Sequence, residues 1–379
     1  MTKKVYYAGF YDRENSSRMF AVPAVVKMNY IIESLNEAGF EVEIISPSFI
    51  LKSDYQFDRG GKSQLNEKSI LWLPPSFGAK TKIGKYFGAL FSFFLWFCKL
   101  LSLKKSDILL VYHAPVLSYP VRVAKWLRKF QLILEVEEIY TYAFNRNIKG
   151  LKKELDFINS ADKYILVNDL ISDALNLKKK EKIICYGPYR VEADVEPKIF
   201  DDNKTHIVYA GSFSKIKGGS FNAVEAAKYL PENYVMHILG FGDNKTEQEL
   251  KQRIQEINLT SSCKVIFEGE KHGNEYYSFM RGCHLGLNPQ KWGDYMLYAY
   301  PSKVLVYLGL ALNVVTSPLK TLLSSTINDY LNYTEDESSQ ALAQAIINAH
   351  IYTGNELKNV GIKLHSDFIK DLKNLIEKL

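Results

Sequence analysis

Cysteine is scarce in this chain of 379 residues: only Cys98, Cys185, Cys263 and Cys283 occur, and no two form a C-x-x-C pair. A disulfide scaffold and a zinc or dithiol motif are thereby excluded. After the first strand-like run the sequence reads AGFYDRE, not G-x-G-x-x-G, which argues against an NAD-dependent dehydrogenase. No Walker loop, no D-x-D and no aromatic–basic motif of a nucleic-acid module is present, so no nucleic acid is expected as a partner. Long apolar runs are also missing. The longest, Tyr86 to Cys98, has 13 residues, short of the ~18–20 needed to cross a bilayer. The opening MTKKVYYAGFYDRE turns polar too early for a signal peptide, and a cytoplasmic protein is the expectation.

What is present is ordinary globular usage, 47% hydrophobic and 24% charged. At ~150 residues per domain the length predicts two or three domains. The net charge of +6 is unevenly spread. Residues 1–190 carry 29 Lys and Arg against 19 Asp and Glu, whereas residues 191–379 carry 19 against 23. Such a split points to an anionic partner for the first half, or to a solvated surface.

The first half alternates apolar runs with helical stretches. KVYYA (4–8), EVEIIS (41–46), DILLVYH (107–113), QLILEVE (131–137), KYILVN (163–168) and KIICYG (182–187) read as strands. Short apolar runs bounded by polar turns and separated by helices predict parallel strands buried on both faces. Residues 190–205 are polar and aperiodic, and predict a linker over 191–204. The alternation then restarts with HIVYAG (206–211), VMHILG (235–240), KVIFEG (264–269), a strand at 284–288 and ALNVVT (311–316). The fold class expected is α/β, with two Rossmann-like doubly wound domains, 1–190 and 205–354, facing a cleft. An amphipathic helix at 355–379 crosses back to the first domain. Ligands in such domains sit at the carboxyl ends of the strands.

The segment IGKYFGALFSFFLWFCKLL (83–101), flanked by Lys80, Lys82, Lys85, Lys99, Lys104 and Lys105, has two readings. One is a core helix. The other is an interfacial helix on an anionic membrane, and the surrounding positive charge favours it.

Phosphate chemistry is suggested at two places. In VYAGSFSKIKGG (208–219) a strand ends at Gly211 and a loop with Lys215 and Lys217 leads to a helix near Gly219. Glycines admit close backbone approach, and a helix start favours an anion. In YPSKVLVYLG (300–309), Pro301 fits the first helical position or the one before it, and the N–H groups of Ser302, Lys303 and Val304 would point at an anion. The ordinary alternative is a capped helix that packs Val304, Leu305 and Leu308 in the core.

The order of these pieces is more specific than any one of them. The GSFSKIKG loop is followed by MHILGFGD (236–243), KVIFEG (264–269), YSFMRGCHLGLNP (277–289) and YPSKVLVYLGLALNVVTSP (300–318). The series resembles the nucleotide-sugar half of family 4-type glycosyltransferases of the two-domain GT-B fold. The resemblance implies a donor site of Gly211, Ser212, Lys217, Gly242, Glu268, Gly269, Ser302, Lys303 and Val304. Lys217 matches the lysine that binds the diphosphate. The sequence departs from the family where two glutamates are usual: Tyr298 and Val306 stand there instead. Asp294, in a Trp-Gly-Asp-Tyr turn, is the candidate substitute.

In the first half, Glu135, Glu137 and Glu138 end the strand QLILEVE, with Glu135 and Glu137 on one face. Glu137 or Glu138 is a candidate general base, with His113 at the end of its own strand, and Glu135 a candidate acceptor contact. A structural alternative has these carboxylates cap a helix or pair with Arg146 and Lys149. Arg18, in the polar loop after the first strand, is a further candidate for the acceptor.

The resemblance implies a hexosyl- or pentosyltransferase that uses a nucleoside-diphosphate sugar. It needs neither metal nor cofactor, and its acceptor is a saccharide, lipid-linked, of a surface polysaccharide. It would work at the inner face of the cell membrane as a peripheral protein. The competing reading, motivated by the missing glutamates, is a non-catalytic glycosyltransferase-like subunit.

Overall fold

The computed structural model describes all residues except 1–2, 14–15, 52–55, 144–147, 191–193, 216–217, 294–296 and 379. The chain divides into two compact units. The first comprises Met1–Tyr186 and Ser366–Leu379, the second Gly187–His365.

The first unit is built on an eight-stranded sheet in the spatial order Glu181–Ile184, Lys163–Leu166, Gln131–Val136, Ile108–Tyr112, Lys4–Ala8, Glu41–Ile45, Ser69–Leu73, Gly61–Asn66. All neighbours run parallel except the last pair, an antiparallel hairpin at the edge. Strand order reverses between Lys4–Ala8 and Ile108–Tyr112. The central strands are aliphatic and aromatic on both faces, as double coverage by helices demands: Val5, Tyr7, Ile44, Leu109, Leu110, Leu132 and Leu134 are all buried. The hairpin was not evident from the sequence, because GKSQLN is polar and sits exposed at the edge.

The second unit has six parallel strands, ordered Lys264–Gly269, Tyr234–Phe241, Thr205–Ser212, Leu285–Asn288, Asn313–Thr316, Leu331–Tyr333. Here the order reverses between Thr205–Ser212 and Leu285–Asn288, the doubly wound plan. Both units are Rossmann-like.

The stretch expected to be a linker, 191–204, is otherwise placed: its described part packs on the second unit. Lys198 N donates to Ser278 O at 2.8 Å, and the Phe200 ring stacks on His206 with centroids 3.7 Å apart. A polar composition concealed these few anchoring side chains. The terminal helix runs Gly354–Glu377, and its second half belongs to the first unit. There Phe368 stacks on Tyr30 at 5.8 Å, and Lys163 Nζ donates to Leu375 O at 2.7 Å.

The apolar segment forms one helix, Lys82–Leu101, of 20 residues. It is longer than its apolar run because Thr81 caps it, accepting from Gly84 N at 3.1 Å. One stripe, Gly88, Ser92, Trp96 and Leu100, is buried. Gly88 is required there, since a Cβ would lie 2.5 Å from Phe77 O, and Trp96 Nε1 donates to Ile45 O at 2.9 Å. The opposite stripe, Ile83, Tyr86, Phe87, Leu90, Phe91 and Phe94, is exposed, Phe94 by 61%. The neighbouring helix Ser118–Arg128 adds exposed Tyr119 and Trp126.

Candidate functional site

The second unit has its candidate site at the carboxyl end of the sheet, beside the strand-order reversal. Thr205–Ser212 pairs with Leu285–Asn288 from Ile207 and Leu285 as far as Tyr209 and Leu287, and beyond that point the two strands part. Tyr307 fills the gap: its hydroxyl accepts from Ala210 N at 3.0 Å and donates to Leu287 O at 3.2 Å. Gly286 makes room for the ring, since a Cβ there would lie 2.5 Å from it. Tyr307 belongs to the helix Lys303–Gly309, so this plug fixes the start of that helix against the sheet.

A pocket of about 310 Å³ opens at this edge, lined among others by Gly211, Gly240, Lys271, Tyr276, Tyr277 and Lys303. That volume lies at the small end of the ~300–1,000 Å³ range of ligand sites. Its floor is backbone. Gly240 has φ +135°, and a Cβ on it would fall 1.7 Å from Gly211 O. Glycine is therefore obligatory, and the two strand ends lie close enough to present bare main chain to a ligand. Lys303 Nζ sits 5.5 Å from the centroid of the Tyr276 ring, and burial pulls its ammonium below the ordinary lysine value. An anion in the pocket would offset that desolvation. Lys271 is 14% exposed and pairs with Glu275 at 2.9 Å and Glu268 at 3.6 Å. Its pKa is raised, first by the bond to Glu275. Two cations, two tyrosine rings and bare backbone suit a ligand with phosphates at one end and a flat ring at the other.

A second depression, about 520 Å³, adjoins the first across Phe241 and is lined by Ser212, Lys215, Gly242 and Asp243 among others. The donor candidates thus divide. Gly211 and Lys303 line one hollow, Ser212 and Gly242 the other. Lys217 and Asp294 lie outside the described residues. Lys215 ion-pairs with Glu249. Gly269 takes φ +68° at the end of its strand.

Three expectations here need correction. The helix starts at Lys303, two residues after Pro301. Of the three amides expected to be free, Ser302 N donates to Tyr300 O at 2.8 Å and Val304 N to Pro301 O at 3.0 Å, and the Val304 side chain is core. Glu268, expected against a base, is held instead by His237 Nδ1 at 2.9 Å, and its pKa is lowered by that bond and by Lys271 against the effect of burial. Lys271, Tyr276 and Tyr277 were missed. The only signal for them was the EKHG turn after the KVIFEG strand.

In the first unit the candidates form buried clusters. Glu135 is fully buried and accepts from the Tyr7 hydroxyl, which removes it as an acceptor contact. Burial, with Glu137 close by, pushes its carboxyl up to about 8. Glu137 sits on the same side and ion-pairs with Lys27 at 3.1 Å. Lys27 Nζ also donates to Cys185 O at 2.8 Å. Glu138 is partly exposed. His113, a candidate from its place at a strand end, is fully buried between Tyr140 and Phe157, and burial pulls its imidazole down to about 4. Its nearest carboxylate, Glu154 at 3.7 Å, is occupied by Tyr140 N and Thr141 N at 2.7 and 2.9 Å. Arg18 is a structural clamp rather than a ligand contact. Its guanidinium donates to Asp58 at 2.7 Å, Ser48 O at 2.7 Å and Pro74 O at 2.8 Å. Among the described residues no three His, Cys, Asp or Glu side chains converge as a metal site.

No family model and no curated protein matches the chain. Solved structures do, along their whole length. Anabaena HepE in complex with UDP and glucose superposes with a TM-score of 0.65 at 12% identity, covering 100% of both chains. The fold is GT-B. The pneumococcal O-GlcNAc transferase GtfA, in complex with UDP and GlcNAc, gives 0.62 at 11%, over 100% of this chain and 99% of that one. The E. coli trehalose-6-phosphate structure bound with UDP-2-fluoro glucose gives 0.66 at 13%, over 98% and 99%. At these identities the likeness establishes the fold.

Proposed function

We propose that the protein is a glycosyltransferase that takes a sugar from a nucleoside-diphosphate sugar, with UDP as the nucleotide. The observation that carries this reading is the pocket of Gly211, Gly240, Lys271, Tyr276 and Lys303 at the strand-order reversal, in a fold shared with structures that hold UDP. Lys271 and Lys303, with Lys217 of the loop, would neutralise the departing diphosphate without a metal. The transferred group is a hexose or pentose. The acceptor is a saccharide bound by the basic first half, lipid-linked and destined for a surface polysaccharide.

The Lys82–Leu101 helix supports a membrane-borne acceptor. Its length would suffice to span a bilayer. Its buried stripe through Trp96 commits it to the fold, so it lies on the membrane with its exposed aromatic stripe in the interface. Lys82 and Lys85 meet anionic headgroups. On this reading the protein works as a peripheral protein at the inner face of the cell membrane.

The test is release of UDP from a panel of UDP-sugars, with and without a lipid-linked saccharide. Acceptor-dependent release supports transfer. UDP binding without turnover of any sugar would point to the non-catalytic subunit, the reading motivated by Tyr298 and Val306.

A further inference from the structure

Behind the pocket a row of four side chains is joined by three hydrogen bonds. Asp202 Oδ1 meets His206 Nε2 at 2.8 Å, His206 Nδ1 meets His237 Nε2 at 2.8 Å, and His237 Nδ1 meets Glu268 Oε1 at 2.9 Å. Both histidines are buried. Phe200 lies flat on His206, and Phe279 stands edge-on to His237. Each bond needs one hydrogen. Two ionised carboxylates supply none, and two neutral imidazoles supply one each. The row is one proton short unless one imidazole is cationic. A second extra proton has no place, because the two nitrogens that face each other would then both carry hydrogen.

We infer that His206 and His237 share one extra proton, and that this buried monocation holds Glu268 away from Lys271 and so sets the charge that the pocket offers to a phosphate. The second half rests on the donor-pocket reading. Glu268 Oε2 lies 3.6 Å from Lys271 Nζ, and Lys271 lines the pocket. With the proton in place, His237 answers the carboxylate and Lys271 is left to the ligand. Without it, one bond of the row loses its hydrogen and the cluster becomes more negative by one charge. His206 and His237 are positioning residues, since they act through Glu268 and Lys271.

The surroundings act on the pair in both directions. Hydrogen bonding to His206 holds Asp202 below the usual carboxylate value, and Glu268 is lowered as described above. Burial and the neighbouring imidazole pull His206 below the usual histidine value against the bond to Asp202, so the hydrogen bonds of the row hold the extra proton against that desolvation. The other ionisable groups close by are few. Lys198 lies over Phe200 and Phe279, and Lys204 is beside Asp202. His284 Nδ1 accepts from His206 N at 3.0 Å. Glu275 pairs with Lys271, and the Cys283 thiol is pushed up by burial.

The decisive variant is Asp202→Asn. An asparagine amide can donate to His206 Nε2. The row then reverses: His206 Nδ1–H donates to His237, His237 Nδ1–H donates to Glu268, and two neutral imidazoles satisfy all three bonds. The experiment reads the ring-nitrogen chemical shifts of the full chain by NMR from about pH 5.5 to about pH 9, and UDP affinity by calorimetry over the same range. The wild type is expected to show one imidazolium that titrates, with UDP affinity falling about fivefold as it does so. The Asp202→Asn protein is expected to show two neutral rings and a flatter affinity profile. UDP's own ionisation is common to both proteins and cancels in the comparison. Two neutral rings in the wild type at about pH 6, or a variant that titrates like the wild type, would overturn the shared proton. Rings that behave as expected in a protein that binds UDP at no pH would uphold the shared proton and overturn the donor reading.

Discussion

At the scale of single residues, burial decides which of the chain's polar groups are available for chemistry. Lys303 is the partly buried cation with a lowered pKa at the pocket, facing Tyr276. Lys303→Ala is expected to weaken UDP binding by about 1.5–3 kcal/mol, the range for a charge-assisted contact, and to weaken UMP less. Calorimetry with both ligands checks it, and equal losses would separate Lys303 from the distal phosphate. Lys217→Ala should act in the same direction on the strength of its motif, and wild-type affinity in that variant would remove the loop from the diphosphate site. Glu135 gives a different test. Its folded pKa is raised from 4.5 to about 8, so the folded state binds more protons than the unfolded one between those values. Its contribution is complete below pH 4.5 and is lost as pH rises to about 8. Urea unfolding of wild type and Glu135→Gln across that window should show the wild type losing stability relative to the variant as pH increases. A parallel pair of profiles would contradict the assignment. Strand ends were legible at Glu135 and His113, because the apolar runs before them are unambiguous. Which ends lie under another element was not, since cover comes from distant chain. Arg18 shows the same limit: its three partners lie 30 to 56 residues away.

At the scale of elements, the strongly patterned segments were read correctly and the weakly patterned ones were not. DILLVYH and QLILEVE announce themselves because both faces of those strands are buried. The edge strand Gly61–Asn66 is polar and the strand Leu331–Tyr333 is only three residues long, so neither marks itself in the sequence. The Lys82–Leu101 helix is the instructive case. Its composition is apolar nearly all round, and only the packing shows that Trp96 and Leu100 face the fold while Phe87, Leu90, Phe91 and Phe94 face out. Its lysines also separate. Lys99 pairs with Glu43 at 2.8 Å and does not belong to the docking face. In a flotation assay the wild type should rise with anionic liposomes at low salt. A variant with Phe87 and Phe94 changed to Ser should stay in solution. A variant with Lys82 and Lys85 changed to Gln should lose the preference for anionic lipid, at ~1 kcal/mol per lysine. A wild type that never floats would leave the aromatic stripe without a membrane role.

At the scale of the whole molecule, the two Rossmann-like units differ in charge, with the basic excess in the first half of the chain and the pocket of Lys271 and Lys303 in the second. Of the residues in the ordered motifs, Gly211, Gly240 and Lys303 line that pocket. Its tyrosines and Lys271 escaped notice because the EKHG turn is all that marks them in the sequence. The pocket's cations, Lys271 and Lys303, can be removed without touching the backbone at Gly240, so Lys271→Ala/Lys303→Ala should strip its charge and leave the sheet intact. The most direct test of the central claim is therefore a calorimetric titration of UDP into the full chain, wild type beside Lys271→Ala/Lys303→Ala, with circular dichroism to confirm that both are folded. One saturable site in the wild type, lost or weakened at least tenfold (about 1.4 kcal/mol) in the folded variant, is the result expected. No UDP binding to the wild type, or equal binding to both, would contradict it.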